Sequence, residues 1–193
     1  MSSYYYFGAT LPGLRYDSAP PMPHAEFLER ASRYLSARDL DTLGSARLYV
    51  PEDGAAPAAA SGSVLLGRYY RWERALRNEL ARLRAQRLQK PVERYLRPGD
   101  PEWDGLRVAQ AAFQADDPLQ GEQLVEKERW SFIEQLAVNR QFDLEFLCAY
   151  SLLIQSLERR ARFRADSGEA GYRTVYRSVL DTADYRDESG ASK

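Results

Sequence analysis

The stretch Leu144–Leu157, LEFLCAYSLLIQSL, is the strongest constraint on the fold. Drawn as a helix, it is apolar around nearly its whole circumference. Such a helix needs neighbours on every side and belongs at the centre of a bundle. Asp143 stands ahead of it as an N-cap. Phe142 before that cap and Leu147 after it match a hydrophobic staple. The helix closes in the charged run Glu158 to Arg164. Its longest apolar run, Phe146 to Ile154, falls far short of the roughly 18 residues that span a bilayer.

The other periodic segments also read as helix. Phe27, Leu28, Ala31 and Leu35 form one stripe, with Pro23 placed in its first turn. Ser36 caps a second short helix, aided by Asp39 and continued by Leu40, Leu43 and Leu48. A long helix runs from Val64 to about Gln89, capped by Ser63 and stopped by Pro91. Its seam is Leu65, Tyr69, Trp72, Leu76, Leu80, Leu83 and Arg87, and Glu73 precedes Arg77 at the favoured ion-pair spacing. Trp103, Leu106, Val108 and Phe113 mark another helix. Asp117, Pro118 and Gln120 start the next in N-cap, first-turn and capping-box positions. It carries Leu119, Val125, Phe132, Ile133 and Leu136 inward, with Trp130 on the flank. A last helix opens at Asp166 and Glu169 and shows Tyr172, Val175, Tyr176, Val179 and Leu180 at helical spacing.

The expected fold is therefore all-α: an irregular multi-helix bundle with an aromatic N-terminal segment and one long basic helix. One domain covers residues 1–183, with a flexible Pro-Gly-Ala-Ser loop at 51–63 and a disordered tail at 184–193. Trp72, Trp130, Phe132, Phe146 and Tyr150 should be largely buried. At 193 residues the chain can bury a core without metals or disulfides. A single cysteine, Cys148, excludes an intramolecular disulfide and fits a reducing compartment. The first residues lack a basic n-region, and Gly8, Pro12 and Gly13 interrupt their apolar run, so they make a poor export signal. A soluble, cytoplasmic protein is expected.

Net charge is −1, but it is unevenly spread. Residues 1–60 carry five Lys/Arg against seven Asp/Glu, residues 61–97 ten against three, and residues 98–193 twelve against eighteen. The basic middle segment pairs with the chain's own acidic half, binds an acidic protein face, or binds nucleic-acid phosphates. No nucleic-acid fold signature accompanies it, and Glu73 and Glu79 interrupt it, so a protein partner ranks first. The candidate partner-binding residues are Arg68, Arg71, Arg74, Arg77, Arg84 and Arg87.

Residues for catalysis are sparse. The one histidine, His24, lies in a Pro-rich turn, and one His with one Cys builds no metal cluster. Cys148 lies in the most apolar helix, where a thiol acts as a small hydrophobe. Asp116, Asp117, Glu126 and Glu128 read as caps or solvated faces. No Gly-rich phosphate loop is present. The expectation is a non-enzyme with no catalytic residues, no cofactor, no metal and no small-molecule substrate. A deep pocket with convergent polar groups would revive an enzymatic reading.

Tyr4-Tyr5-Tyr6-Phe7 places four aromatic residues near the free end. Its surroundings are not basic, as base stacking would need, and no amphipathic or spanning helix accompanies it. The run reads as a buried strand or first helical turn, an anchor tied into the chain's own core with the tyrosine hydroxyls reaching polar partners or the surface.

Several of these pieces together resemble a known family. They are Tyr4-Tyr5-Tyr6-Phe7 with Leu11-Pro12, then Pro20-Pro21 ahead of Phe27-Leu28. Asp117-Pro118-Leu119 with Glu122, Arg129-Trp130, Phe142-Asp143-Leu144, Tyr150 and Leu157-Glu158-Arg159 follow. The chain resembles the small uncharacterised bacterial proteins encoded among the V/A-type ATPase genes of spirochaetes and Bacteroidetes. The loop at 51–63 matches nothing in that pattern.

The resemblance implies a place in a rotary ATPase and no catalytic residues. Such proteins stand in their gene clusters where the C (d-like) subunit, a helical socket between rotor shaft and membrane ring, is expected. That subunit has three related helical bundles, and this chain is too short for all three. The implied function is a non-enzymatic accessory or central-stalk subunit of a proton- or sodium-translocating V/A-type ATPase. It would dock between other subunits and be peripheral to the inner membrane through the complex. The alternative is a nucleic-acid-binding helical module using the basic helix 68–90.

Overall fold

The computed structural model describes residues 3–49, 62–98 and 106–162. These contain seven α-helices, one 3-10 turn and no strand. The α-helices are α1 (Ser3–Thr10), α2 (His24–Ser32), α3 (Ala37–Gly44), α4 (Val64–Arg87), α5 (Leu106–Gln114), α6 (Pro118–Ala137) and α7 (Leu144–Arg162). The helix expected from Asp166 to Leu180, the 184–193 tail, Trp103, and all of the 51–63 loop except Gly62 and Ser63 lie outside the described residues. The chain divides into two compact units, Met1–Leu157 and Glu158–Lys193, and the core lies in the first.

α7 is central, as its all-round apolar sequence requires. Leu147 to Leu152, Ile154, Ser156 and Leu157 are buried. Asp143 caps it, accepting from the Phe146 N–H at 2.7 Å. Phe142 reaches that cap with a φ of 60°, an uncommon conformation for a bulky residue, and Tyr5 covers its ring at 4.6 Å. Gly8 completes this corner. A Cβ there would stand 2.9 Å from the Phe142 ring, so only glycine lets α1 close on it.

The aromatic start is half plug and half ledge. Phe7 is buried and stacks on Phe27 and Tyr34. Tyr4 donates to the Asp39 carboxylate at 2.5 Å. Burial, then this bond, pushes the Tyr4 phenol up to about 12, while Ser36 and Tyr4 together hold Asp39 below its usual value. Tyr5 and Tyr6, however, are 56% and 63% exposed, so the anchor into the core is made by Phe7 and Tyr4 while these two tyrosines face the surface. One turn of helix cannot point four consecutive side chains inward.

The caps fall largely as the sequence predicts. Ser36 accepts from the Asp39 N–H, Ser63 from the Leu66 N–H and Asp117 from the Leu119 N–H. Pro23, expected inside α2, is instead its N-cap. α3 ends at Gly44, so buried Leu48 follows it in a non-helical segment. α4 ends at Arg87 with a left-handed Gln89 and a Lys90 N–H bonded to the Ala85 carbonyl. Trp72, Trp130 and Tyr150 are buried; Phe132 and Phe146 are half-buried against the core. Trp72 and Phe132 stack at 4.6 Å and join α4 to α6. Leu119, read as inward, is exposed, because it lies in the first turn of α6 beyond the packed region. α5 and α6 meet closely at Gly121, where a Cβ would lie 2.5 Å from the Ala112 carbonyl oxygen.

Candidate functional site

α4 carries all six arginines proposed as partner-binding, and they do not share one face. At 3.6 residues per turn, Arg77 and Arg84 stand roughly opposite Arg68. Arg68 and Arg84 are exposed and have no polar partner among the described residues. Arg71 is exposed and donates to the Gly67 carbonyl. Arg87 is exposed with its guanidinium 5.5 Å from the Phe113 ring centre.

The remaining two are built into the fold. Residues 92–98 lie back along one edge of α4. There Asn78 exchanges two hydrogen bonds with the main chain of Arg97, and Arg74 donates to the Pro98 carbonyl at 3.0 Å. Arg77 pairs with Glu73 at 2.8 Å, as its spacing predicts, and lies 4.9 Å from the Tyr49 ring centre. Arg82 pairs with Glu79. The ion pairs of Arg77 and Arg82 thus close within α4.

Sequence reading missed the group beneath this face. Glu73 is fully buried and accepts from two arginines. Arg77 donates through Nε, while Arg129 of α6 donates through Nε at 2.9 Å and a terminal nitrogen at 3.1 Å. Arg129 also pairs with Glu126, which was read as a solvated carboxylate and is in fact buried. Tyr49 and Ser156 donate to Glu126 at 3.3 and 3.2 Å. Burial opposes the charge on Arg129, but Glu73, Tyr69 and Glu126 outweigh it and raise its pKa well above the ordinary arginine value. Burial first, and then the Glu73 charge, raises the Tyr69 phenol well above its normal range. The cluster fixes α4 against α6. Its one sequence trace is Arg129-Trp130, an arginine inside an apolar helical stripe.

Two further polar groups lie in the core. Glu145 of α7 caps α4 across the fold, accepting from the Ser63 hydroxyl and from the N–H groups of Val64 and Leu65. Its charge complements the positive end of that helix. His24 places Nε2 2.8 Å from the Ser151 hydroxyl, a nucleophile–base distance, but Ser151 is fully buried at the centre of α7. Burial, then Glu145, pushes the Cys148 thiol up to about 12, so it stays protonated near neutrality. Among the described residues, no three His, Cys, Asp or Glu side chains are grouped to hold a metal ion. No described helix is long and apolar enough to cross a membrane.

No protein-family model, curated protein or solved structure matches the chain.

Proposed function

We propose that this chain is a non-enzymatic docking protein, an accessory or central-stalk subunit of a V/A-type proton- or sodium-translocating ATPase. The observation that carries the docking reading is the pair of exposed guanidiniums, Arg68 and Arg84, without partners among the described residues. They project from different sides of α4, a helix that a buried ion cluster fixes to α6. A fixed helix with unpaired arginines on two sides suits docking between the acidic faces of neighbouring subunits, where charge steers association and sets register. The ATPase assignment comes from the sequence resemblance. The quoted residues interlock in the core: Phe7 stacks on Phe27, Phe27 lies against Tyr150, and Tyr150 donates to the Pro12 carbonyl at 2.8 Å. On this reading the family's marks build the scaffold, and the partner contact is made by residues outside them.

The test is purification of the intact ATPase complex, with mass spectrometry for this chain. It is expected in the complex, and Arg68→Glu with Arg84→Glu should lower its recovery there by about tenfold or more. Its absence from the complex would overturn the reading. A titration with RNA and DNA gives the competing outcome. Phosphate contacts strengthen as salt falls, so binding that grows at low salt would favour a nucleic-acid partner instead.

A further inference from the structure

Gly67 lies inside α4, and glycine is among the poorest helix formers. The described residues give it no packing reason. At Gly8 and Gly121 a Cβ would strike a neighbour, whereas at Gly67 it would meet nothing within 4 Å among them. Its backbone is helical, so no left-handed turn calls for glycine either. Arg71 donates to its carbonyl at 3.4 Å, yet the Arg71 side chain leaves the Cβ position open. The result is a patch of bare main chain on one side of a helix.

That side is the one turned away from the core. Leu65, Leu66, Tyr69, Trp72 and Leu76 are buried. At 3.6 residues per turn, the opposite side holds Val64, Gly67, Arg68, Arg71 and Ala75. Val64 is 68% exposed, and Arg68 and Arg71 are exposed. The face runs roughly 16 Å along the helix axis. It carries two guanidiniums and no carboxylate. Beyond Ala75 the same side is covered, since Asn78 is bonded to the main chain of Arg97.

We propose that this face docks a partner helix bearing a row of carboxylates, which crosses α4 at Gly67. Charge complementarity selects the partner: Arg68 and Arg71 stand one turn apart, and each guanidinium matches a carboxylate as a fork of two donors. The missing side chain sets the approach. Packed helix axes lie about 8 to 10 Å apart according to the side chains between them, and bare main chain admits the close end of that range. Val64 and Ala75 supply apolar contact at the two ends of the face. The inference rests on the docking reading of Arg68 and not on the ATPase assignment.

The probe is a labelled, alanine-based helical peptide with glutamates repeated along one face, titrated into the full-length protein at low salt. Saturable binding that weakens as salt rises is expected. Gly67→Leu and Arg68→Glu should each weaken it about tenfold or more, the first by blocking approach and the second by reversing charge. A proline at the centre of the peptide breaks its helix and should weaken binding about as much. Equal binding by the Gly67→Leu protein or by the proline peptide overturns the proposal. So does a lack of binding at low salt, or tighter binding of duplex DNA. If Gly67→Leu does not fold by circular dichroism, the proline comparison on the unaltered protein decides. A chain that binds the helix as described but is missing from the ATPase complex refutes the ATPase assignment alone. A chain present in that complex whose folded Gly67→Leu variant assembles equally well refutes the helix alone.

Discussion

Two polar clusters share helix α4, and they hold the protein in different ways. One is charged: Glu73, Glu126 and Arg129, with Arg77 at its edge, joining α4 to α6. The other is neutral: Tyr69, Tyr70 and Gln155, which bind the main chain of residues 45–48. Removing one member of the first strands a buried charge. Removing one member of the second strands a carbonyl or an N–H. The penalties differ several-fold. The charged cluster is therefore a lock between helices, and the neutral one a clasp on a segment.

The largest expected effect follows from the lock. Arg129→Met should destabilise the protein by about 3–5 kcal/mol, read from the urea midpoint, because two buried carboxylates lose their shared partner. Replacing Glu73, Glu126 and Arg129 together by Met should restore most of that loss, since well-packed apolar residues often match a buried ion cluster. A single Arg129→Met loss below about 1 kcal/mol would mean the cluster is solvated and the contrast is false.

The clasp should yield smaller losses. Gln155→Leu leaves the Ala46 carbonyl and the Leu48 N–H unpaired and should cost about 2–3 kcal/mol. Tyr69→Phe leaves only the Leu48 carbonyl and should cost about 1–2 kcal/mol. Equal losses for the two would show that packing, not peptide-group pairing, sets the energetics.

Alkaline pH probes the phenols of the clasp, together with Tyr150 elsewhere in the core. Burial raises the phenol pKa values of Tyr69 and Tyr70, and raises Tyr150 to about 12. A raised folded pKa means that the native state holds its proton more tightly than the unfolded chain. The stability is complete below the unfolded value of about 10 and is lost as pH rises through the folded values. Ultraviolet absorbance should show these phenols ionising together with loss of helical circular dichroism. Ionisation with the helices intact would mean the hydroxyls are accessible.

The all-helical fold was legible because its signals are local. Ser36, Ser63 and Asp117 cap over two or three residues, and the circumference of α7 is apolar within one segment. The clusters were not legible, because their partners are remote. Glu73 meets Arg129 across 56 positions, and Glu145 reaches Leu65 across 80. A glutamate in a basic helix reads as an interruption of charge until the third partner is known. Gln155 gave no signal at all, since a lone amide in an apolar helix is equally consistent with exposure at the bundle's edge.

The smallest prediction isolates that difference. Glu29–Arg33 and Glu73–Arg77 have the same i,i+4 spacing and nearly equal lengths, 2.9 and 2.8 Å. In sequence they are indistinguishable. The side chains of Glu29 and Arg33 are 69% and 67% exposed, whereas Glu73 is fully buried. Glu29→Gln should change stability by no more than about 0.5 kcal/mol, since water replaces what the pair loses. Glu73→Gln should exceed that several-fold, because two guanidiniums then share no anion at that position. Equal losses in urea denaturation would place both pairs in solvent. A large difference would show that burial, which the spacing does not encode, decides what an ion pair contributes.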